Sequence, residues 1–294
     1  MERIHHFTGM RWIHGGLFFN DDVLMVYTGE QKIYFLGIPE KRILWAIPRP
    51  GEFAASGDMR CCSIPGTEKV ACIASGNASM DEFFFLLIDW SSREFSFWRV
   101  PDCYRVIQSL VWTRRLGLTF LSYQAKGDNV SLVYRIFRAT ETGAFPLLYD
   151  GESPLISQAY SGSFLFLADY GGQEPQMFVC SLEPSAQGER LELGKPRLLP
   201  IPTLGRKAGP GSIRRVLPYV KWVDEESGLL TVCHPMKWIG VCDFQNQTLT
   251  AAYLNSSVDY GEVLDGQLLL GLAPGFSIMP SHTQRIPLPD ADNQ

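Results

Sequence analysis

One phrase recurs along these 294 residues: an apolar run of strand length, a short polar turn, then a second apolar run that often ends near a proline. It first reads Ile33-Tyr34-Phe35-Leu36-Gly37-Ile38 followed by Arg42 to Pro48, and returns as Phe83 to Asp89 with Phe95 to Pro101. Further copies are Val130 to Phe137 with Phe145 to Tyr149, Met177 to Leu182 with Arg197 to Ile201, and Ile239 to Phe244 with Leu249 to Tyr253. The matched positions Gly37, Asp89, Arg135, Ser181 and Asp243 lie 52, 46, 46 and 62 residues apart. Two more strand-like runs precede each phrase, as in Gly16 to Asn20 with Val23 to Tyr27, or Val216 to Trp222 with Leu229 to Cys233. Four strands in about 50 residues is the size of a β-propeller blade.

Five copies end near Leu254 and leave 40 residues. These supply Tyr260 to Leu264, Leu268 to Leu272 and a weaker run within Phe276 to Ile286, which is one strand short of a blade. The unassigned run Arg3 to Thr8 fills that place, because sharing a blade between the termini pairs edges that would otherwise stay open. The expectation is therefore an all-β chain: one domain over 1–294, a six-bladed β-propeller of four-stranded antiparallel blades closed by the N-terminal strand. The longest interval holds the segment 203–213, with Gly209-Pro210-Gly211, expected as a mobile surface loop suited to a lid or a protein contact.

Helical periodicity is nearly absent, and an apolar fraction of 46% excludes a disordered chain. A net charge of −5, spread evenly, gives no reason to expect nucleic acid or anionic membrane as a partner. The longest apolar run, Phe83 to Ile88, is far shorter than the ~20 residues that span a bilayer. Seven cysteines, mostly in apolar runs, and a polar N-terminus point to the cytoplasm. Four Asn-x-Ser/Thr triplets, at Asn77, Asn129, Asn246 and Asn255, favour the alternative of a secreted chain, although the same residues are common in turns.

Trp-Asp and Gly-His signatures, Kelch double glycines and Asp-box phrases are all missing. An irregular propeller of this size resembles solitary fungal-type propellers such as hetero-Diels–Alderases, in architecture and length alone. That resemblance implies a small organic ligand, secondary metabolism, a monomer, and a cofactor-free cyclase, isomerase or hydrolase. It carries over no catalytic residue.

The visible clusters fail on geometry. His5 and His6 are adjacent, so on a strand they point apart, and Cys61-Cys62 have the same defect as metal ligands. No metal and no cofactor are expected. Cys233-His234 diverge likewise, no Gly-x-Ser-x-Gly turn occurs, and Ser161-Gly162-Ser163 reads as a hairpin turn. Asp224-Glu225-Glu226 reads as a solvated turn.

Aligning the first strand of each blade by the apolar residue before its turn sets Phe19, Ile64, Trp112, Tyr160, Trp222 and Leu264 at one level. Two to five places earlier stand His14, Arg60, Gln108, Gln158, Tyr219, Tyr260 and Glu262. Such strands line the central channel, where propellers hold ligands. Arg60 and Tyr219 are the candidate donors to a reacting carbonyl, and Glu262 and His14 the candidate proton acceptors. Gln108, Trp112, Gln158, Tyr160, Trp222 and Tyr260 are the candidate ligand contacts. Two alternatives stand beside this reading. One is a scaffold binding a protein partner through the rim or the 203–213 loop; the other binds carbohydrate through Trp12, Trp90 or Trp238.

Overall fold

The computed structural model describes the backbone of residues 5–7, 13–20, 22–28, 32–48, 59–75, 82–101, 106–127, 131–172, 174–188, 190–199, 201–209, 212–225, 228–234, 238–244, 246, 248–253, 260–264, 267–272, 275–280 and 284–287, with side chains for most of those between 22 and 249. All of the regular structure among them is β-strand.

The chain opens with β1 (His5–Phe7), whose partner lies near the other end of the sequence. Blade 1 is β2 (Ile13–Asn20), β3 (Val23–Thr28), β4 (Lys32–Gly37) and β5 (Arg42–Pro48). Blade 2 is β6 (Met59–Ile64), β7 (Lys69–Ser75), β8 (Phe83–Asp89) and β9 (Glu94–Val100). Blade 3 is β10 (Val106–Thr113), β11 (Gly117–Ala125), β12 (Leu132–Arg138) and β13 (Leu147–Ser153). In blade 4, β14 (Ile156–Tyr160), β15 (Phe164–Asp169) and β16 (Gln176–Pro184) are followed by an outer position divided between β17 (Leu191–Leu193) and β18 (Arg197–Leu199).

A separate hairpin, β19 (Leu204–Gly209) and β20 (Ser212–Val216), occupies the segment expected to be a loop. Leu204 pairs with Val216 and Lys207 with Ile213, so apolar and β-branched residues flank the glycines and make a ladder there. Blade 5 is β21 (Tyr219–Asp224), β22 (Leu229–His234), β23 (Trp238–Asp243) and β24 (Thr248–Tyr253). A last sheet holds β25 (Tyr260–Leu264), β26 (Gln267–Leu272) and β27 (Gly275–Pro280). The final strand, β28 (Gln284–Pro287), returns to pair with β24 as a fifth strand of blade 5.

The architecture is a β-propeller of antiparallel blades. Five blades are made of strands consecutive in sequence, against the six expected; the remaining sheet runs β1-β27-β26-β25 and draws on both ends of the chain. Within it His5 pairs with Ile278 and Phe7 with Phe276, so the N-terminal run does pair where the count left a strand missing.

The packing explains why second and third strands such as β7, β8 and β15 read as nearly unbroken apolar text. On β7, Val70, Cys72 and Ala74 join the core shared with blade 1, while Ala71 and Ile73 join the core shared with blade 3. On β15, Leu165 and Leu167 face blade 3, and Phe166 and Ala168 face blade 5. A strand alternates its side chains between two faces. Where both faces are covered by neighbouring blades, both sets of alternating residues are mostly apolar. Turn chemistry ends these strands: Asp89 accepts hydrogen bonds from the Ser91 and Ser92 N–H groups and the Ser91 hydroxyl. Asp169 does the same for Gly171 N–H, and Asp243 for Asn246 N–H. The Asn246 side-chain amide also donates to Asp243, at 2.7 Å, so that triplet sits in a turn.

Candidate functional site

The first strand of each blade is innermost, and β2, β6, β10, β14, β21 and β25 neighbour one another in that order. The polar candidates fall at one end of these strands. Arg60 is the second residue of β6, Gln108 and Gln158 the third of β10 and β14, and Tyr219 the first of β21. His14 is second on β2, Tyr260 first and Glu262 third on β25; their side chains, and that of Trp222, lie outside the described residues.

Four of these inner strands carry one-residue bulges, at Lys221 in β21 and at Phe19 in β2 among other places, and in three of the strands a bulge falls at a polar candidate. The extra residue is His14 in β2, Gln108 in β10 and Gln158 in β14. A bulge adds a residue without a cross-strand partner and turns the following side chains to the other face. That decides the fate of the aromatic level. Trp112 stands four residues beyond Gln108, about 13 Å along the strand. It lines a cleft between blades 2 and 3 together with Ile64, Phe85, Leu87 and Leu118. Tyr160 is only 2% exposed and its hydroxyl donates to Thr119 Oγ1 at 2.8 Å, so it is core between blades 3 and 4 and cannot touch a ligand in the channel. Burial pushes its phenol well above the ordinary tyrosine value.

The polar end is largely engaged in joining blades. Arg60 Nε donates to the Gln108 carbonyl at 2.7 Å, and Gln108 Nε2 donates to the Ser157 carbonyl at 2.9 Å, so one chain of bonds crosses blades 2, 3 and 4. Among the described residues Gln108 Oε1 and Ser157 Oγ find no hydrogen-bond partner, and both are sealed from solvent. Gln158 Nε2 donates to the carbonyl of Ile156, at 3.4 Å. Burial raises the Tyr123 phenol, and the Arg60 guanidinium opposes that shift. Arg60→Ala should therefore cost stability, about 2 kcal/mol for a charge-assisted bond between blades, measured by urea unfolding. A variant as stable as the parent would show that the bond is idle.

At the other end of the inner strands, Glu225 is not the solvated turn residue it reads as. Its carboxylate accepts from the Ser161 hydroxyl at 2.8 Å and from the Ser163 N–H, tying the first turn of blade 5 to that of blade 4.

Of the residues that are open at the polar end, sequence reasoning singled out Tyr219 and overlooked Val106 and Ile156. Val106 is 41% exposed, Ile156 38% and Tyr219 53%, and each is the first residue of its inner strand, in three successive blades. Nothing in sequence separates such a residue from a buried one of the same type. Among the described residues no group of three His, Cys, Asp or Glu gathers as a metal centre would. His5 and His6 are consecutive residues of β1, and their side chains lie outside the described residues. Cys61, Cys62, Cys72, Cys180 and Cys242 are free thiols, and burial pushes Cys180 up to about 11 and Cys242 up to about 12, so neither is a nucleophile near neutrality.

By sequence the chain matches no family profile and no curated protein. By structure it matches the WD40 repeats of RRP9, with a TM-score of 0.56, 11% identity and coverage of 94% of this chain and 96% of that one. It also matches U3-55K, with a TM-score of 0.51, 8% identity and coverage of 94% and 98%. These neighbours are propellers. At such identity the likeness establishes the fold alone. The propeller class holds without the Trp-Asp and Gly-His signatures, and the likeness to solitary cyclising propellers gains no support from either structure.

Proposed function

We propose that this chain is a protein-interaction scaffold whose docking surface is the channel mouth at the starts of β10, β14 and β21. The observation that carries this reading is the arc of Val106, Ile156 and Tyr219, three exposed apolar residues on adjacent inner strands. Isolated surface apolar residues are ordinary, but a group at the mouth of a rigid ring presents an anchor of the kind protein partners use, with Ile156 in its middle and Tyr219 as its most exposed member. Similarity to WD40 propellers supports a binding role. Two of the polar groups in the candidate small-molecule site, Arg60 and Gln108, are engaged between blades. The same reading takes the sheet of β25, β26, β27 and β1 as a sixth blade, and 1–294 as one unit.

The test is a comparison of partners retained by the immobilised chain and by the variant Ile156→Asp/Tyr219→Ala. A partner held in stoichiometric amount by the parent should weaken about 30-fold or more, as loss of a hot spot of 2 kcal/mol requires. Equal retention by both proteins rejects this surface. A small molecule bound stoichiometrically in native mass spectrometry, and released by the same substitutions, would restore the ligand reading in its place.

A further inference from the structure

The outermost strand of a blade offers a row of unpaired backbone groups, and monomeric proteins guard such edges with bulges, short strands or a covering segment. In this chain nearly every outer edge is guarded. The ladder of β5 is broken by a bulge at Leu44, and that of β13 by a bulge at Leu148. Blade 4 divides its outer position into two strands of three residues, β17 and β18. In blade 5, β24 is covered by β28, with Ile286 set opposite the buried Leu249. The sheet that draws on both ends of the chain finishes in β1, which has three residues.

Strand β9 is the exception. It has seven residues, contains no proline, and pairs with β8 without a shift from Asp89↔Glu94 to Phe83↔Val100. It closes the sheet order of blade 2, and among the described residues no strand pairs with its outer edge. Its two faces differ. Trp98 is held against blade 3, where a Cβ on Gly143 would fall within 2.4 Å of the indole. Phe95 and Phe97, on the other face, are 40% and 38% exposed. A long, regular, aromatic edge of this kind is a template for another strand.

We infer that β9 pairs antiparallel with β9 of a second copy of this chain. The strand is complementary to itself. A two-fold axis normal to the sheet keeps each face on one side, so residues of equal parity meet across the new ladder. Centred on Ser96, the pairing sets Phe95 of each copy opposite Phe97 of the other. Centred on Phe97, it sets the two Phe97 rings together and Phe95 opposite Arg99, whose side chain is 68% exposed. Both registers convert exposed rings into cross-strand aromatic or cation–π pairs, which are among the stabilising pairs of antiparallel sheets. The inference concerns the outer edge of blade 2 and is independent of docking at the channel mouth.

Sedimentation velocity of the full chain from about 1 to about 100 μM tests it. The expected result is a species of twice the 33.0 kDa chain mass that grows with concentration. Phe95→Lys/Phe97→Lys should raise the dissociation constant at least about tenfold, because lysine on an edge strand opposes pairing. Ile43→Lys, on the exposed outer strand of blade 1, should leave it unchanged. Hydrogen exchange of the unmodified chain gives a second reading that needs no variant: amides of Glu94 to Val100 should gain protection as concentration rises. A chain of monomer mass throughout overturns the inference. So does a dimer that survives the lysine substitutions with no added protection on β9.

Discussion

Phe35→Ala should lower the stability of the propeller by about 4 kcal/mol, the cost of emptying a phenylalanine site in a core that cannot collapse. Phe35 has no exposed surface and lies at the junction of blades 1 and 2. Its ring stacks on Trp45 at 5.0 Å, meets Trp90 at 4.9 Å and meets Phe19 edge-on at 6.3 Å. Removing it takes away three aromatic contacts at once, each worth about 0.5 to 1.5 kcal/mol beyond area burial. The exposed side of the cluster is held by Arg93, whose guanidinium lies 3.3 Å from the centre of the Trp90 ring and 5.1 Å from that of Trp45. That clamp keeps both tryptophans in place and prevents them from closing the hole. Total stabilities of folded domains are about 5 to 15 kcal/mol, so the variant should melt about 10 °C lower and sit near the limit of folding. Phe35→Leu should recover more than half of the loss. A melting point within about 2 °C of the parent for Phe35→Ala would mean that blades 1 and 2 do not share this core.

The same physical facts decide what could be read in advance. Middle strands such as β7, β8 and β15 were legible because burial on both faces leaves no polar residue to interrupt the run. The turn at Ser161–Ser163 and the Asp-ended turns were legible because few residue types make those bonds. Bulges were not. Gln108 and Trp112 differ by an even number of places, so a regular strand would put them on one face. The extra residue at Gln108 reverses that, and the tryptophan turns into the cleft beside Ile64. Gln158 and Tyr160 are parted the same way. The 203–213 segment was misread because glycine, proline, Arg206 and Lys207 suggest a loop, while the pairing of Leu204 with Val216 is a contact between residues twelve apart. Exposure of Val106, Ile156 and Tyr219 depends on where each inner strand begins in space, and a window of sequence does not carry it.

Gly162→Ala should cost about 3 kcal/mol, although it adds one methyl group to a turn. Gly162 has φ near +100°, a conformation that strains any residue with a Cβ by about 1 to 3 kcal/mol. Its missing Cβ would also lie 2.3 Å from Cγ2 of Thr113, a residue only 8% exposed. Thr113 cannot swing away freely, because its hydroxyl accepts the N–H of Leu116 at 3.1 Å and fixes the turn after β10. On the other side, Ser161 and Ser163 flank the glycine and both donate to Glu225, so the turn is held between blades 3 and 5 and cannot retreat. Overpacking of a site held on both sides adds about 1 to 3 kcal/mol to the strain. The two contributions separate in a double variant. Thr113→Ser deletes Cγ2 and keeps the hydroxyl, so Gly162→Ala/Thr113→Ser should regain about half the loss, measured as coupling between the single variants. Gly188→Ala, at φ +74° with nothing within 4 Å of the added carbon, should show the backbone strain alone. Additive single-variant effects would show that the methyl group escapes Thr113. Because this junction lies at the end of β14 remote from Ile156, the folded fraction of Gly162→Ala should still bind a partner at the channel mouth with the parent's affinity.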